Sequence, residues 1–326
     1  MKTFKAFTVA CLFLMGCMVA GPGARINFSA IDSYPEGLAY DSLRAVYYVS
    51  SARTGTIGTV TPDGEYTVLH ADSTLKSTYG LKIHPDGNRL FACVGDANYS
   101  RYSTADTYLK MCRLISVDLE TGKKLSDVDL SGLLPGKHFP NDLVFDEQQN
   151  IYLTDSYAHA IYKITPAGQA SVFVKDSQFE TEGIGVNGLV YHPDGYLLVD
   201  NSNTGQLYKV NMKQPQYVQK VAANQFFLGA DGLLLNAADT LTIVVNGGND
   251  KIFQLTTDDN WKSSRLCSTT LLLDRFTYPS TATLNSNEVW VMNAKFNELV
   301  DSNAVPSKIF AIQRADFLPV PKRKLK

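Results

Sequence analysis

Two carboxylates and two amides occupy the same position in different copies of a repeated phrase in this 326-residue chain. Each of the six copies begins with a polar residue, continues with a small or polar one, and then opens an apolar run. Four of the first residues carry side-chain carbonyl or carboxylate oxygens: Glu36, Asn141, Asn187 and Asp231. Such a hard, oxygen-only donor set suits Ca²⁺, with another divalent cation as the alternative. The sequence therefore predicts a cation site, provided that the fold brings these side chains together.

The spacing of the six phrases predicts that fold. The other two copies begin with Tyr79 and Ser280, and successive first residues are 43, 62, 46, 44 and 49 residues apart, by subtraction of residue numbers. Four-stranded propeller blades repeat every ~40 to 50 residues. The third unit shows four β-rich runs, at 141–146, 151–155, 160–165 and 170–174, with turn residues between them. We predict an all-β protein, a six-bladed β-propeller of four-stranded antiparallel blades.

The same plan predicts how the ring closes and where its channel lies. The long second interval places an extra loop at 95–107, and the sixth unit supplies only three strands. Residues 26–30, near the mature N-terminus, are expected to add the fourth strand and leave no open sheet edge. Because the first strand of each blade lines the channel, the four oxygen-bearing residues should converge there. The propeller is expected to span residues 25–316 as a single domain, followed by a basic C-terminal tail at 317–326.

The first 24 residues are predicted to be a signal peptide. Lys2 and Lys5 precede an apolar run at 6–20, which is shorter than the ~20 residues of a membrane span. The run ends in a sequence that is similar to a bacterial lipobox, so Cys17 is a candidate lipid anchor, and ordinary cleavage near Ala20 or Ala24 is the alternative. We expect an exported protein that is periplasmic, secreted or an outer-membrane lipoprotein, with membrane contact only through such an anchor.

Composition limits the partners. The chain is 44% hydrophobic and 19% charged, with a formal net charge of -2, as in ordinary globular proteins. There is no basic stripe, so no nucleic acid partner is expected, and we expect a monomer that acts on a small molecule. No zinc-type cysteine spacing occurs. Cys93 and Cys112 fall in neighbouring predicted strands, as either a cross-strand disulfide or two buried thiols.

The polar phrases have a second interpretation, since Asn-Asp, Asn-Gly and Asp-Gly are common turn dipeptides. Two features favour the cation site over turns. The hairpin turns of the repeats lie elsewhere, for example at 62–64 and 193–195, and Glu36 is not a turn-forming residue.

The phrases that contain Glu36, Asn141, Asn187 and Asp231 resemble the metal-binding phrases of the SMP-30/gluconolactonase/LRE-like family. These proteins are six-bladed propellers that include lactonases and calcium-dependent phosphotriesterases, and the resemblance extends from about residue 30 to 314. It implies that the four residues bind Ca²⁺ and that Asp231 is also catalytic, as a base or a nucleophile. The implied reaction is metal-dependent hydrolysis of a lactone, ester or phosphoester. The alternative function is a non-catalytic, NHL-like binding propeller with a structural metal or none.

Four further residues are predicted to contact substrate. Tyr79 and Ser280 begin the two remaining phrases, Tyr278 lies two residues before Ser280, and His138 lies three residues before Asn141. Tyr79 either forms an aromatic wall or plugs the channel as a core side chain. His138 is either an acid or base or a solvated loop histidine.

Overall fold

The chain folds into six antiparallel β-sheets that follow one another in sequence order. The computed structural model describes residues 24–97, 99–237 and 239–321. The predicted signal peptide up to residue 23, with Cys17, and the basic residues 322–326 lie outside the described residues. Within the described part of the chain, no helix is long and apolar enough to cross a membrane.

Blades 1 to 4 are meanders of four consecutive strands. Blade 1 comprises β2 (Leu38–Asp41), β3 (Val46–Val49), β4 (Ile57–Val60) and β5 (Tyr66–His70). Blade 2 comprises β6 (Ser77–Ile83), β7 (Arg89–Gly95), β8 (Cys112–Asp118) and β9 (Lys124–Asp129). Blade 3 comprises β10 (Pro140–Phe145), β11 (Ile151–Asp155), β12 (Ala160–Ile164) and β13 (Ala170–Lys175). Blade 4 comprises β14 (Val186–His192), β15 (Tyr196–Asn201), β16 (Leu207–Asn211) and β17 (Val218–Lys220).

The last two blades include strands from the two ends of the chain. Blade 5 comprises β18 (Ala230–Ala237), β19 (Thr240–Val245), β20 (Lys251–Thr256), β21 (Arg265–Thr270) and β25 (Phe317–Pro319). Blade 6 comprises β22 (Pro279–Asn285), β23 (Glu288–Asn293), β24 (Ile309–Arg314) and β1 (Arg25–Ser29). Among the described residues, one short helix, α1 (Asn297–Val300), and three 3₁₀ turns (Ser73–Leu75, Ser177–Phe179 and Leu272–Asp274) lie in the connections. The predicted six-bladed propeller is confirmed.

The C-terminal boundary differs from the expected one. Residues 317–319, which we assigned to the basic tail, form β25 and pair antiparallel with β21. Thr270 faces Phe317 in this pairing, and Ser268 faces Pro319. The fold therefore continues past residue 316, because the outer strand of blade 5 presents free backbone groups that this segment satisfies.

The N-terminal strand closes the ring. Strand β1 pairs antiparallel with β24, from Arg25 opposite Gln313 to Ser29 opposite Ile309. The buried Phe28 ring lies 6.0 Å from the ring of Tyr66 in blade 1 and 6.2 Å from that of Phe310 in blade 6, measured between centroids. Closure therefore combines backbone pairing within blade 6 with apolar packing between blades 6 and 1.

The apolar core lies between neighbouring sheets, and the inner strands approach one another closely around the channel. The second residue of the phrase is glycine in four copies: Gly37, Gly80, Gly188 and Gly232. A Cβ atom at Gly37 would overlap the Tyr79 carbonyl oxygen, and one at Gly188 would overlap that of Asp231. These glycines bring the backbones of adjacent first strands into contact and place the first residues of the phrases around one axis.

Replacing Phe28 with alanine should destabilise the ring by about 3–5 kcal/mol, because the substitution leaves a cavity at the closure. The free energy of unfolding measured in urea provides the test. Leu43→Ala is the control, since Leu43 is 82% exposed and its truncation should cost little. Equal stabilities for the two variants would show that ring closure does not depend on this packing.

Candidate metal centre

Four carboxylates meet where the inner strands line the channel. Burial raises the pKa of Glu36 well above its usual value, and the charges of Asp231 and Asp142 raise it further. Burial and then Asp231 raise the pKa of Asp200 in the same way. Glu36, Asp142 and Asp200 are buried, whereas Asp231 is partly exposed. The fold thus concentrates negative charge in a space that water enters poorly, which requires either bound protons or a cation.

The structure brings three of the four predicted ligands near one another. The side chain of Asn187 is hydrogen-bonded to Asp231, and the charge of Asp231 acts on Glu36. Asn141 is buried beside Asp142 on β10 and donates from Nδ2 to Ser156 Oγ at 3.2 Å. This hydrogen bond uses the nitrogen of the Asn141 amide and does not involve its oxygen.

Several oxygens in this cluster have no hydrogen-bond partner in the protein. They are Oε2 of Glu36, Oδ2 of Asp142, Oδ1 of Asn187 and Oδ2 of Asp200. A buried polar group without a partner costs about 1–3 kcal/mol, and more if it is charged. Carboxylate and amide oxygens are also the ligands that Ca²⁺ prefers. The residues therefore fit a hard divalent cation by both their chemistry and their unsatisfied bonding.

Asp231 differs from the other three carboxylates in its surroundings. Burial raises the pKa of Asp231 to about 7, although hydrogen bonds from Asn246 and Asn187 oppose the shift. Asn246 donates from Nδ2 to Asp231 Oδ2 at 2.5 Å and to the Pro279 carbonyl at 3.0 Å. A partly exposed carboxylate that is oriented by two amides can act as a base or a nucleophile.

Sequence reasoning missed three residues of this centre: Asp142, Asp200 and Asn246. Asp142 follows Asn141, and the Asn-Asp pair that they form is a common turn dipeptide. Asp200 lies near the end of β15 and accepts through Oδ1 from the Gly188 backbone, at 3.1 Å, while its Oδ2 has no partner. Asp200 and Asn246 share a sequence signal, because one lies near the end of the second strand β15 and the other directly follows the second strand β19.

Two of the residues predicted to bind substrate are occupied by structural contacts. Tyr79 is fully buried, its ring packs against Phe139 with centroids 4.9 Å apart, and its hydroxyl accepts from the Ala97 backbone at 3.3 Å. Ser280 is also fully buried and donates to the Glu36 carbonyl at 2.7 Å. Tyr79 thus packs as a core side chain, and Ser280 joins blade 6 to the segment that carries Glu36.

Tyr278 remains a candidate for substrate contact. It is half-buried, and burial followed by the charges of Asp231 and Asp250 raises its pKa. Its ring lies 5.9 Å from that of Phe296, which lies 5.0 Å from the ring of Tyr99. Tyr99 belongs to the long loop of blade 2, and its pKa is also raised by burial and by Asp231. The aromatic side chains near Asp231 therefore come from two separate connections.

His138 lies in a buried charged cluster instead of a solvated loop. Its Nδ1 lies 2.7 Å from Asp155 Oδ2, and both side chains are buried. Burial alone would lower the pKa of His138, but the Asp155 carboxylate outweighs it and raises the pKa. The thiol of Cys112 also contacts Asp155, and Cys112 and Cys93 are both free and buried.

The ligand atoms of Cys112, His138 and Asp155 lie within 4.8 Å of one another, which is a spacing that suits a metal ion. The Asp155 oxygens already have partners, however. Oδ1 accepts from the Phe139 and Ala158 backbones, and Oδ2 accepts from Tyr162 as well as from His138. The group therefore acts as an ion pair that fixes the segment leading to Asn141.

Two curated proteins are similar in sequence to part of this chain. No protein-family model matches the chain. Core trichothecene cluster protein 14 of Fusarium sporotrichioides is 25% identical over 208 residues, which are 59% of this chain and 55% of that protein. Trichothecene biosynthesis protein 14 of Trichoderma arundinaceum is 24% identical over 225 residues, which are 63% of this chain and 62% of that protein. The chain thus spans under two thirds of the curated relatives that it matches.

Solved structures match over nearly the whole chain. The allergen Mala s 1 of Malassezia sympodialis is 17% identical with a TM-score of 0.72, covering 91% of this chain and 97% of the allergen. A protein assigned as a gluconolactonase is 16% identical with a TM-score of 0.58, and the match covers 92% of this chain and 96% of that protein. Luciferin-regenerating enzyme is 12% identical with a TM-score of 0.59, and the match covers 91% of this chain and 99% of that enzyme. The chain has the six-bladed propeller fold of these proteins. The last two belong to the family that the four polar phrases resemble.

The metal-free protein should lose stability as the pH rises. An unfolded aspartate has a pKa of about 4, whereas that of Asp231 in the fold is about 7. The folded state therefore binds the proton more tightly, and this stabilisation is present at low pH and lost as the pH rises through 7. The raised pKa of His138 acts in the same direction. The free energy of unfolding, measured in urea with chelator present, should be higher at pH 5 than at pH 8 by roughly a few kcal/mol. A stability that rises with pH would contradict this reading.

Replacing Asp155 with asparagine should destabilise the fold by about 3–5 kcal/mol, because the variant leaves His138 charged and buried without its partner. Chemical unfolding at pH 6 measures the loss. The control is Asp194→Asn, which removes a carboxylate that is 61% exposed and lies 3.8 Å from His192. Its cost should stay below about 1 kcal/mol. Similar losses in the two variants would contradict a buried ion pair at His138.

Proposed function

We propose that this chain is an exported, divalent-cation-dependent hydrolase of the SMP-30/gluconolactonase type, with Ca²⁺ as its ion. The observation that carries the proposal is the set of unpartnered buried oxygens on Glu36, Asn187, Asp142 and Asp200. Glu36, Asn141, Asn187 and Asp231 would hold the ion, with Asp142 and Asp200 beside them. The proposed substrates are lactones, esters or phosphoesters.

The proposed roles follow from the surroundings of each side chain. A bound Ca²⁺ would polarise the carbonyl or phosphoryl oxygen of the substrate. Asp231 is the partly exposed carboxylate, and Asn246 and Asn187 orient it for attack or for activation of water. The half-buried Tyr278 and Tyr99 supply an aromatic surface near Asp231, which favours a ring or an acyl chain over a highly charged substrate.

One observation favours the second candidate, a binding propeller with a structural ion. Phe296 packs against Tyr99 and Tyr278, and both tyrosines lie near Asp231, so these rings take up space that an entering substrate would need. A structural ion needs no such entry, whereas a catalytic ion keeps a coordination position open to substrate.

Glu36→Gln and Asp231→Asn separate these candidates. We expect the wild-type protein to bind Ca²⁺ in equilibrium dialysis and to hydrolyse members of a lactone and aryl ester panel, with activity that chelator removes and Ca²⁺ restores. Glu36→Gln should weaken Ca²⁺ binding by roughly 100-fold, because it removes a charged ligand. Asp231→Asn should lower kcat by on the order of 10²–10⁴.

Glu147→Gln is the matched control, since Glu147 is an exposed carboxylate outside the cluster. It should bind and turn over like the wild type. Ca²⁺ binding without hydrolysis by the wild type would favour the binding propeller. Unchanged binding and turnover in both Glu36→Gln and Asp231→Asn would overturn the proposed site.

A further inference from the structure

At two positions of the repeated phrase, one copy has a charged residue where the other five copies have uncharged ones. At the second position of the phrase, four copies have glycine and the sixth copy has Thr281. The third copy has Asp142. At the fourth position, the second copy has Lys82. The equivalent residues of the other five copies are uncharged: Ala39, Val144, Val190, Leu234 and Thr283.

The two exceptional residues face each other across the boundary between blades 2 and 3. Lys82 Nζ lies 3.9 Å from Asp142 Oδ1, while Asp142 Oδ2 has no partner. The positive charge of Lys82 also acts on Glu36, because it lowers the Glu36 pKa against the effect of burial. Lys82 is therefore a cation held within reach of the carboxylate cluster.

Lys82 also borders an open part of the channel. A cavity of about 370 Å³ is lined by inner-strand residues of all six blades, and Lys82 is one of them. Its other lining residues include Tyr40, Leu189, Leu235 and Leu284, so the wall is mainly apolar. With 24% of its side chain exposed, Lys82 stands between this cavity and Asp142.

We propose that Lys82 is a built-in counter-ion that restricts the carboxylate cluster to a single divalent cation and sets its affinity. This inference rests on the proposed function, because it assumes that the cluster binds such an ion. If all four carboxylates ionise around a bound cation, they carry four negative charges, of which one divalent ion would balance two and Lys82 a third. Without the lysine, the remaining charge and the vacated space beside Asp142 would admit another cation from the cavity.

A purely structural salt bridge predicts a different outcome. If Lys82 only tied blade 2 to blade 3, its removal would lower stability and leave ion binding unchanged. A counter-ion, in contrast, is coupled energetically to the bound cation, so its removal changes the number or the affinity of the ions. The readout must therefore be ion binding itself, with stability measured alongside.

Lys82→Met removes the charge and retains most of the side-chain length. We expect equilibrium dialysis and calorimetry to show one Ca²⁺ in the wild type. The variant should bind either a second Ca²⁺ or a single ion with an affinity raised roughly tenfold or more, given the charge removed nearby. Lys82→Arg retains the charge and should behave like the wild type. Lys82→Gln provides the same test with a polar side chain if the methionine variant does not fold.

The double variant Lys82→Met/Asp142→Asn supplies a charge-matched control. It removes one positive and one negative charge together, so its net charge equals that of the wild type, and it should return to one ion. If the wild type binds no divalent cation, the proposed function itself fails. If the wild type binds one ion and Lys82→Met and Lys82→Gln match it in number and affinity, the role of Lys82 is wrong and the proposed function stands.

Discussion

The close approach of six inner strands around one axis is the constraint on which the rest of this structure depends. Glycines such as Gly37 and Gly188 permit it, because any larger side chain would overlap the carbonyl of the neighbouring blade. The contact is reinforced between blades, for example by the hydrogen bond from Ser280 to the Glu36 carbonyl. A ring this tight fixes where its inner strands place their side chains, so Glu36 and Asp231 lie close enough to interact although their charges repel.

This geometry explains the unusual electrostatics of the centre. Carboxylates that are forced together in a poorly hydrated space repel one another, and the pKa values of Glu36, Asp200 and Asp231 rise as a result of burial and of this repulsion. Hydrogen bonds from the amides of Asn246 and Asn187 stabilise the charge of Asp231 alone, so they offset only part of this repulsion. A bound cation would coordinate the oxygens that have no hydrogen-bond partner. Cation binding would therefore stabilise the fold and also supply the proposed chemistry.

The sequence allowed the architecture to be predicted almost completely, because blade length, turn residues and the missing sixth-blade strand are all local patterns. The centre could be predicted only in part. Glu36 and Asp231 share a repeat position, which a sequence displays, whereas Asp200 reaches the cluster from the end of a second strand. The surroundings of His138 and Tyr79 could not be predicted for a similar reason. Their burial depends on Asp155 and Phe139, and sequence spacing does not show how the connections fold over one another.

The way in which symmetry is broken separates structural from functional residues in this ring. Positions that hold the ring together are nearly the same in each copy, as the glycines are, since each blade meets its neighbour in the same way. A site on the axis cannot be six-fold symmetric if one ion or one substrate is to bind in a defined orientation. Lys82 and Asp142 depart from the pattern in adjacent blades and with opposite charges. Two independent departures that meet at 3.9 Å are better explained by a requirement of the site than by a requirement of the fold.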